Sequence, residues 1–82
     1  MNNQRRHAIA SINLKLFDLL FALEKIEDKE QEAFDNLPDG IASSERGDQM
    51  NEGIELLFSA KEQIEEARDL LTEAITTETP IA

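Results

Sequence analysis

The chain has 82 residues, 18 acidic against 8 basic side chains, and a formal net charge of -10. This length allows one small domain, and a chain this short buries only about 60% of the surface that its unfolded form exposes, so oligomerisation is expected to help its core. The absence of cysteine excludes a disulfide scaffold and a thiol nucleophile and is compatible with a cytoplasmic location. The longest apolar stretch, 14–23, is about half of the roughly 20 residues that a membrane span needs, so we expect no membrane-spanning helix.

The first predicted element is a long amphipathic helix at about 5–35. Its apolar residues follow alternating spacings of three and four, which is typical of the a and d positions of a heptad repeat. These residues are Ile9, Ile12, Leu16, Leu19, Leu23 and Ile26. Glu30 interrupts the seam at an a position, and we expect it to reach solvent rather than to pair with Lys61 or Arg68.

A tip is predicted at about 36–43, because Asn36-Leu37-Pro38-Asp39-Gly40 is the one dense cluster of turn residues. Ser43 and Ser44 are predicted to cap the amino terminus of the second helix. Glu45 and Asp48 then lie in its first turn, where the helix dipole favours negative charge.

The second helix is predicted at about 44–77, with large side chains at the a positions and small ones at the d positions. The a positions are Met50, Leu57, Ile64 and Leu71, and the d positions are Gly53, Ala60, Ala67 and Ala74. Small side chains along one seam allow a neighbouring helix to approach closely. The sequence therefore predicts an all-α fold, a long antiparallel helical hairpin forming a single domain over 1–82. A three-helix arrangement, with a break near Asp28 or within the tip, is the structural alternative.

Four large apolar residues of the first helix lie off the predicted seam, so from 14 to 23 that helix is apolar around nearly its whole circumference. They are Leu14, Phe17, Leu20 and Phe21. A helix that is apolar on all sides is buried on all sides. We therefore predict that these four residues form an oligomer interface and that the hairpin assembles as a homo-oligomeric bundle. A two-fold dimer forming a four-helix bundle is favoured, and higher oligomers stay open.

The inventory of reactive groups is too small for an enzyme. His7 is the single imidazole, and the Glu-x-x-His pairs of a di-metal bundle are missing. We therefore predict no catalytic residues, no metal and no cofactor. Direct nucleic-acid binding is disfavoured, because only Arg5 and Arg6 form a basic cluster.

The start of the second helix has the groups that suit a phosphate. Backbone amides at a helix start, two hydroxyls, a guanidinium and a glycine that allows close approach favour an anion or nucleotide. The predicted ligand-binding residues are Ser43, Ser44, Arg46 and Gly47. The alternative explanation for Gly47 is a packing contact with Leu37 or Ile41 as they fold over the tip.

Acidic residues follow the c and f heptad positions of the second helix, opposite the small side chains. They are Glu45, Asp48, Glu52, Glu55, Glu62, Glu66, Asp69 and Glu73. One interpretation is a solvated face that keeps an apolar bundle soluble. The other is a partner-binding face complementary to a basic protein, whose association electrostatic steering would speed.

The segments Phe34-Asp35-Asn36-Leu37-Pro38-Asp39-Gly40 and Ser44-Glu45-Arg46-Gly47-Asp48-Gln49-Met50 resemble small, acidic, largely uncharacterised helical proteins of bacteriophages and prophages. The resemblance implies a non-enzymatic accessory protein in the host-cell cytoplasm that acts by stoichiometric binding. The expected role is inhibition of a host protein, such as a defence component, through the acidic face or the tip. Two alternatives stay open: a nucleotide-sequestering oligomer that uses 43–47, and a purely structural assembly element.

Overall fold

The computed structural model describes residues 1–77, which form two long helices joined by a short helical tip. The helices are α1 (Asn3–Asp35), α2 (Asp39–Ala42) and α3 (Glu45–Thr76), and the described residues contain no β-strand. Contacts between α1 and α3 pair the start of one with the end of the other, so the two helices are antiparallel. The Cα atoms extend over 66 × 16 × 12 Å. The predicted all-α helical hairpin is confirmed.

The ends of α1 follow from local side-chain chemistry. At the amino terminus, Asn2 Oδ1 accepts a 2.8 Å hydrogen bond from the backbone amide of Arg5, which caps the helix. At the other end, Pro38 has no amide hydrogen to donate and disfavours helical backbone at Leu37. The helix therefore stops at Asp35.

The tip contains one helical turn that the sequence did not predict as a separate element. The amides of Ile41 and Ala42 both donate to the carbonyl of Pro38 at 2.9 Å, which closes α2. Ser44 is the N-cap residue of α3 as predicted, but its side chain makes no capping hydrogen bond. Its hydroxyl donates back to the carbonyl of Ile41 instead, so it joins α3 to the tip.

The contact seam of α1 is rotated by one position from the predicted one. The a positions Ile9, Leu16 and Leu23 are half-buried as predicted. The predicted d positions are wrong, because Ile12, Leu19 and Ile26 remain 49%, 60% and 53% exposed. The e positions turn inward in their place: Asn13, Leu20, Glu27 and Phe34.

The same rotation occurs in α3. The a positions Met50, Leu57, Ile64 and Leu71 are half-buried as predicted. The second half of the seam is formed mainly by e positions, and of the predicted small d positions only Gly53 and Ala67 are half-buried. These e positions are Gly47, Ile54, Lys61, Arg68 and Ile75. The rotation buries one large apolar residue of each helix, because Leu20 and Ile54 are each only 8% exposed. It also leaves the large d positions of α1 exposed, whereas Gly53 and Ala67 of α3 border the contact and are half-buried.

The hydrophobic core of the single hairpin is very small. Leu20 and Ile54 are the only buried apolar side chains within residues 1–77, and neither is fully enclosed. Two packed helices cover only one stripe of each other, so the remaining apolar side chains stay accessible. None of the described helices is long and apolar enough to cross a membrane.

Candidate functional surfaces

An ion pair between Glu27 and Lys61 lies within the α1–α3 contact. Lys61 Nζ is 2.9 Å from Glu27 Oε2, and the Lys61 and Glu27 side chains are only 17% and 16% exposed. The hydrogen-bonding contact with Glu27 raises the pKa of Lys61, burial opposes that change, and the charges of Glu24 and Asp28 add to the rise. The ion pair is therefore a structural element of the seam, one that the sequence did not predict. Glu30, which was weighed as a partner of Lys61, is exposed as expected.

A second polar cluster joins the start of α1 to the end of α3. Asn13 Nδ2 donates to Thr72 Oγ1 at 3.0 Å and to the carbonyl of Arg68 at 3.3 Å, and Arg68 Nε donates to Asn13 Oδ1 at 2.9 Å. The guanidinium of Arg68 also lies 4.7 Å from the centre of the Phe17 ring, within the range of a cation–π contact. These contacts join the two helices inside the hairpin, so both Asn13 and Arg68 contribute to its stability.

The predicted ligand-binding residues at the start of α3 lie together, but the hydroxyls of the two serines donate within the tip. The Ser43 hydroxyl donates to the carbonyl of Asp39 at 3.1 Å, and the Ser44 hydroxyl donates to Ile41. Arg46 is exposed. The described residues of the single chain enclose no pocket. A ligand site shared between neighbouring chains stays a prediction.

Gly47 has a packing role at the same place. It is buried, and a Cβ atom at this position would lie 2.6 Å from the carbonyl carbon of Ala42 and 2.7 Å from the carbonyl oxygen of Ile41. Only glycine lets the first turn of α3 approach the tip this closely. The expected packing contact with Ile41 is therefore present, and it accounts for a glycine inside a helix without any ligand.

The predicted partner-binding residues form a negative surface along α3 with one gap at Ser59, named here the acidic surface. All eight members are exposed: Glu45, Asp48, Glu52, Glu55, Glu62, Glu66, Asp69 and Glu73. At 1.5 Å per residue the surface is about 42 Å long. No lysine or arginine occupies a c or f position of α3, so no positive charge interrupts it. Its geometry suits an extended basic surface rather than a small cation.

The predicted oligomer interface needs one correction. Leu20 is buried within the single hairpin, because the rotation of the seam turns it towards α3, so it is not available to a second chain. Leu14, Phe17 and Phe21 are exposed, at 66%, 49% and 56%. Whether these three contact another chain stays a prediction.

The remaining side chains of the described residues offer little for metal chemistry. Within 1–77, no three His, Cys, Asp or Glu side chains are arranged to hold a metal ion.

Comparisons with protein-family models, with curated proteins and with solved structures give no match to this chain.

Proposed function

We propose that the protein is a non-enzymatic, self-associating binding protein that uses the acidic surface to bind a basic surface of a partner protein. The observation that supports this is the extent of the acidic surface: eight exposed carboxylates follow one face of α3 without an intervening positive charge. Such a surface attracts a basic partner over a distance and accelerates the encounter. Cytoplasmic inhibition of a host protein, such as a defence component, is the role proposed from the resemblance to phage-encoded proteins.

The test compares two charge-reversed variants of equal net charge. The first changes Glu52, Glu55, Glu62 and Glu66 to lysine. The control changes four exposed acidic residues outside the acidic surface to lysine, namely Asp18, Glu30, Glu32 and Glu65. Each tagged protein is incubated with bacterial host lysate at low and at high salt, and retained proteins are identified by mass spectrometry.

We expect one basic protein to be retained by the wild type and by the control variant, to be lost from the variant of the acidic surface, and to be released at high salt. Retention of the same protein by all three forms would exclude the acidic surface as the contact. Loss from both variants would show that net charge, rather than the position of the carboxylates, determines binding. Circular dichroism confirms that all three forms keep their helices.

A further inference from the structure

One long face of the hairpin carries no carboxylate. None of the 18 acidic residues lies at a d or g position of α1 or α3. The d positions are those in the heptad register of Ile12 in α1 and Gly53 in α3, and the g positions are those in the register of Lys15 and Leu56. We name these positions the carboxylate-free face. In a chain with a net charge of -10, this segregation leaves one surface on which like-charge repulsion is lowest.

The d positions of the two helices lie on the same side of the hairpin. Two antiparallel helices that meet along the same heptad positions place their matching flanking positions on a common side. The b positions illustrate this, because Phe17 of α1 and Thr72 of α3 both contact the Asn13–Arg68 cluster. The d positions flank the seam on the side opposite the b positions.

On the carboxylate-free face, large side chains project from α1 and small side chains line α3. On α1, Ile12, Leu19 and Ile26 form a ridge of exposed large side chains. On α3, the d positions from 53 to 74 are glycine or alanine, which form a shallow row beside that ridge. At the outer edge of this row, Leu56 and Leu70 are 63% and 58% exposed. A ridge next to a shallow row is complementary in shape to a second copy of itself.

We infer that the carboxylate-free face is the surface through which two copies of the chain associate. A two-fold axis parallel to the helices lays the ridge of each copy onto the small-residue row of the other, which makes the contact isologous and closed. This inference rests on the proposed self-association and states which surface carries it. It replaces the predicted interface of Leu14, Phe17, Leu20 and Phe21, and it leaves the acidic surface of each copy free.

The exposed area of the single chain supports a second copy as the occupant. The chain exposes 6393 Å², whereas a compact folded protein of its 9.3 kDa mass exposes about 5,000 Å². The excess is roughly 1,400 Å², larger than the about 800 Å² that each partner buries in a standard protein interface. A dimer through this face would cover the exposed ridge and enlarge the small core of the hairpin.

The test measures mass in solution by size-exclusion chromatography with light scattering. We expect the wild type to have twice the 9.3 kDa mass of the chain and Leu19→Glu to shift to the mass of one chain. The matched control is Phe21→Glu, because Phe21 is 56% exposed against 60% for Leu19 but lies off the carboxylate-free face. It should keep the dimer mass.

A second variant separates dissociation from loss of folding. Ala60→Glu places a carboxylate in the small-residue row at an exposed position, where the hairpin itself has no need of the methyl group. It should also dissociate the dimer while circular dichroism reports retained helix. If Leu19→Glu and Ala60→Glu both keep the dimer mass, or if Phe21→Glu dissociates it, the assigned face is wrong although self-association stands. If the wild type is monomeric at every concentration, or purifies with a different protein bound to this face, the inference that a second copy of the chain occupies the face is wrong.

Discussion

Arg68 of α3 donates a 2.9 Å hydrogen bond from Nε to Oδ1 of Asn13 on α1, which joins residues 55 positions apart in the sequence. Asn13 returns two hydrogen bonds to the last turns of α3, one to the carbonyl of Arg68 and one to Thr72. A bond in both directions fixes the register of the two helices, because sliding either helix by one turn breaks all three contacts. The amide of Asn13 therefore specifies the alignment at the open end of the hairpin, far from the tip.

The first prediction concerns this amide. Asn13→Ala removes the acceptor for Arg68 Nε and leaves a part-buried guanidinium with one fewer partner, so the free energy of unfolding should fall by about 1–3 kcal/mol. Urea denaturation at one fixed protein concentration measures the change, since unfolding of a self-associating protein depends on concentration.

Asn51→Ala is the matched control for Asn13→Ala. Asn51 is exposed, and its amide makes only a long 3.4 Å contact with Glu55 in the same helix. Its replacement should change the free energy of unfolding by no more than about 0.5 kcal/mol. An equal loss in both variants would exclude the contact across the hairpin as the cause, and helix propensity would not account for it, because alanine favours a helix more than asparagine does.

The second prediction concerns the pH dependence of stability at the Glu27–Lys61 ion pair. Glu27 raises the pKa of Lys61 in the folded protein above its ordinary value of 10.5. A lysine with a raised folded-state pKa binds its proton more tightly when folded, so it adds stability that is complete below pH 10.5 and is lost as the pH rises through the folded-state pKa. The free energy of unfolding of the wild type should therefore decrease in that alkaline range.

Two variants isolate the contribution of the pair. Glu27→Gln keeps a lysine at 61 but removes the charge that raises its pKa, so the alkaline decrease should become shallower. Glu30→Gln removes an exposed carboxylate of α1 that is not among the charges that raise the pKa of Lys61, and it should keep the wild-type pH dependence. The chain contains no tyrosine or cysteine to titrate in the same range. An unchanged slope in Glu27→Gln would exclude the ion pair as its source.

The a positions of both helices were predictable from the sequence, but the second half of the seam was not. In α1 both flanks offer apolar residues, such as Leu19 at a d position and Leu20 at an e position, so spacing alone does not decide between them. Asn13 and Glu27 also look like surface residues until the fold places Arg68 and Lys61 opposite them. Polar residues that pair across the two helices occupy two of the e positions of α1, and the same one-residue rotation places Leu20 inside.

The contact between the tip and α3 was more predictable from the sequence, because Gly47 is an unfavourable residue within a predicted helix. A glycine in the first turns of a helix costs stability, which indicated a close approach. The sequence left a packing contact and a ligand as alternatives, because backbone carbonyls carry no sequence signal. The nearby carbonyls of Ile41 and Ala42 supply the physical reason for the packing contact.

The last prediction tests that reason with a pair of glycine variants. Gly47→Ala adds a methyl group where backbone atoms of Ala42 already lie, so the tip must move away from α3, a kind of overpacking that costs about 1–3 kcal/mol. Gly53→Ala adds the same group where nothing lies within 4 Å. Because alanine favours a helix over glycine by about 1 kcal/mol, Gly53→Ala should raise the melting temperature while Gly47→Ala lowers it. If both variants are stabilised, the contact between the tip and α3 is looser in solution, and the packing explanation for Gly47 fails.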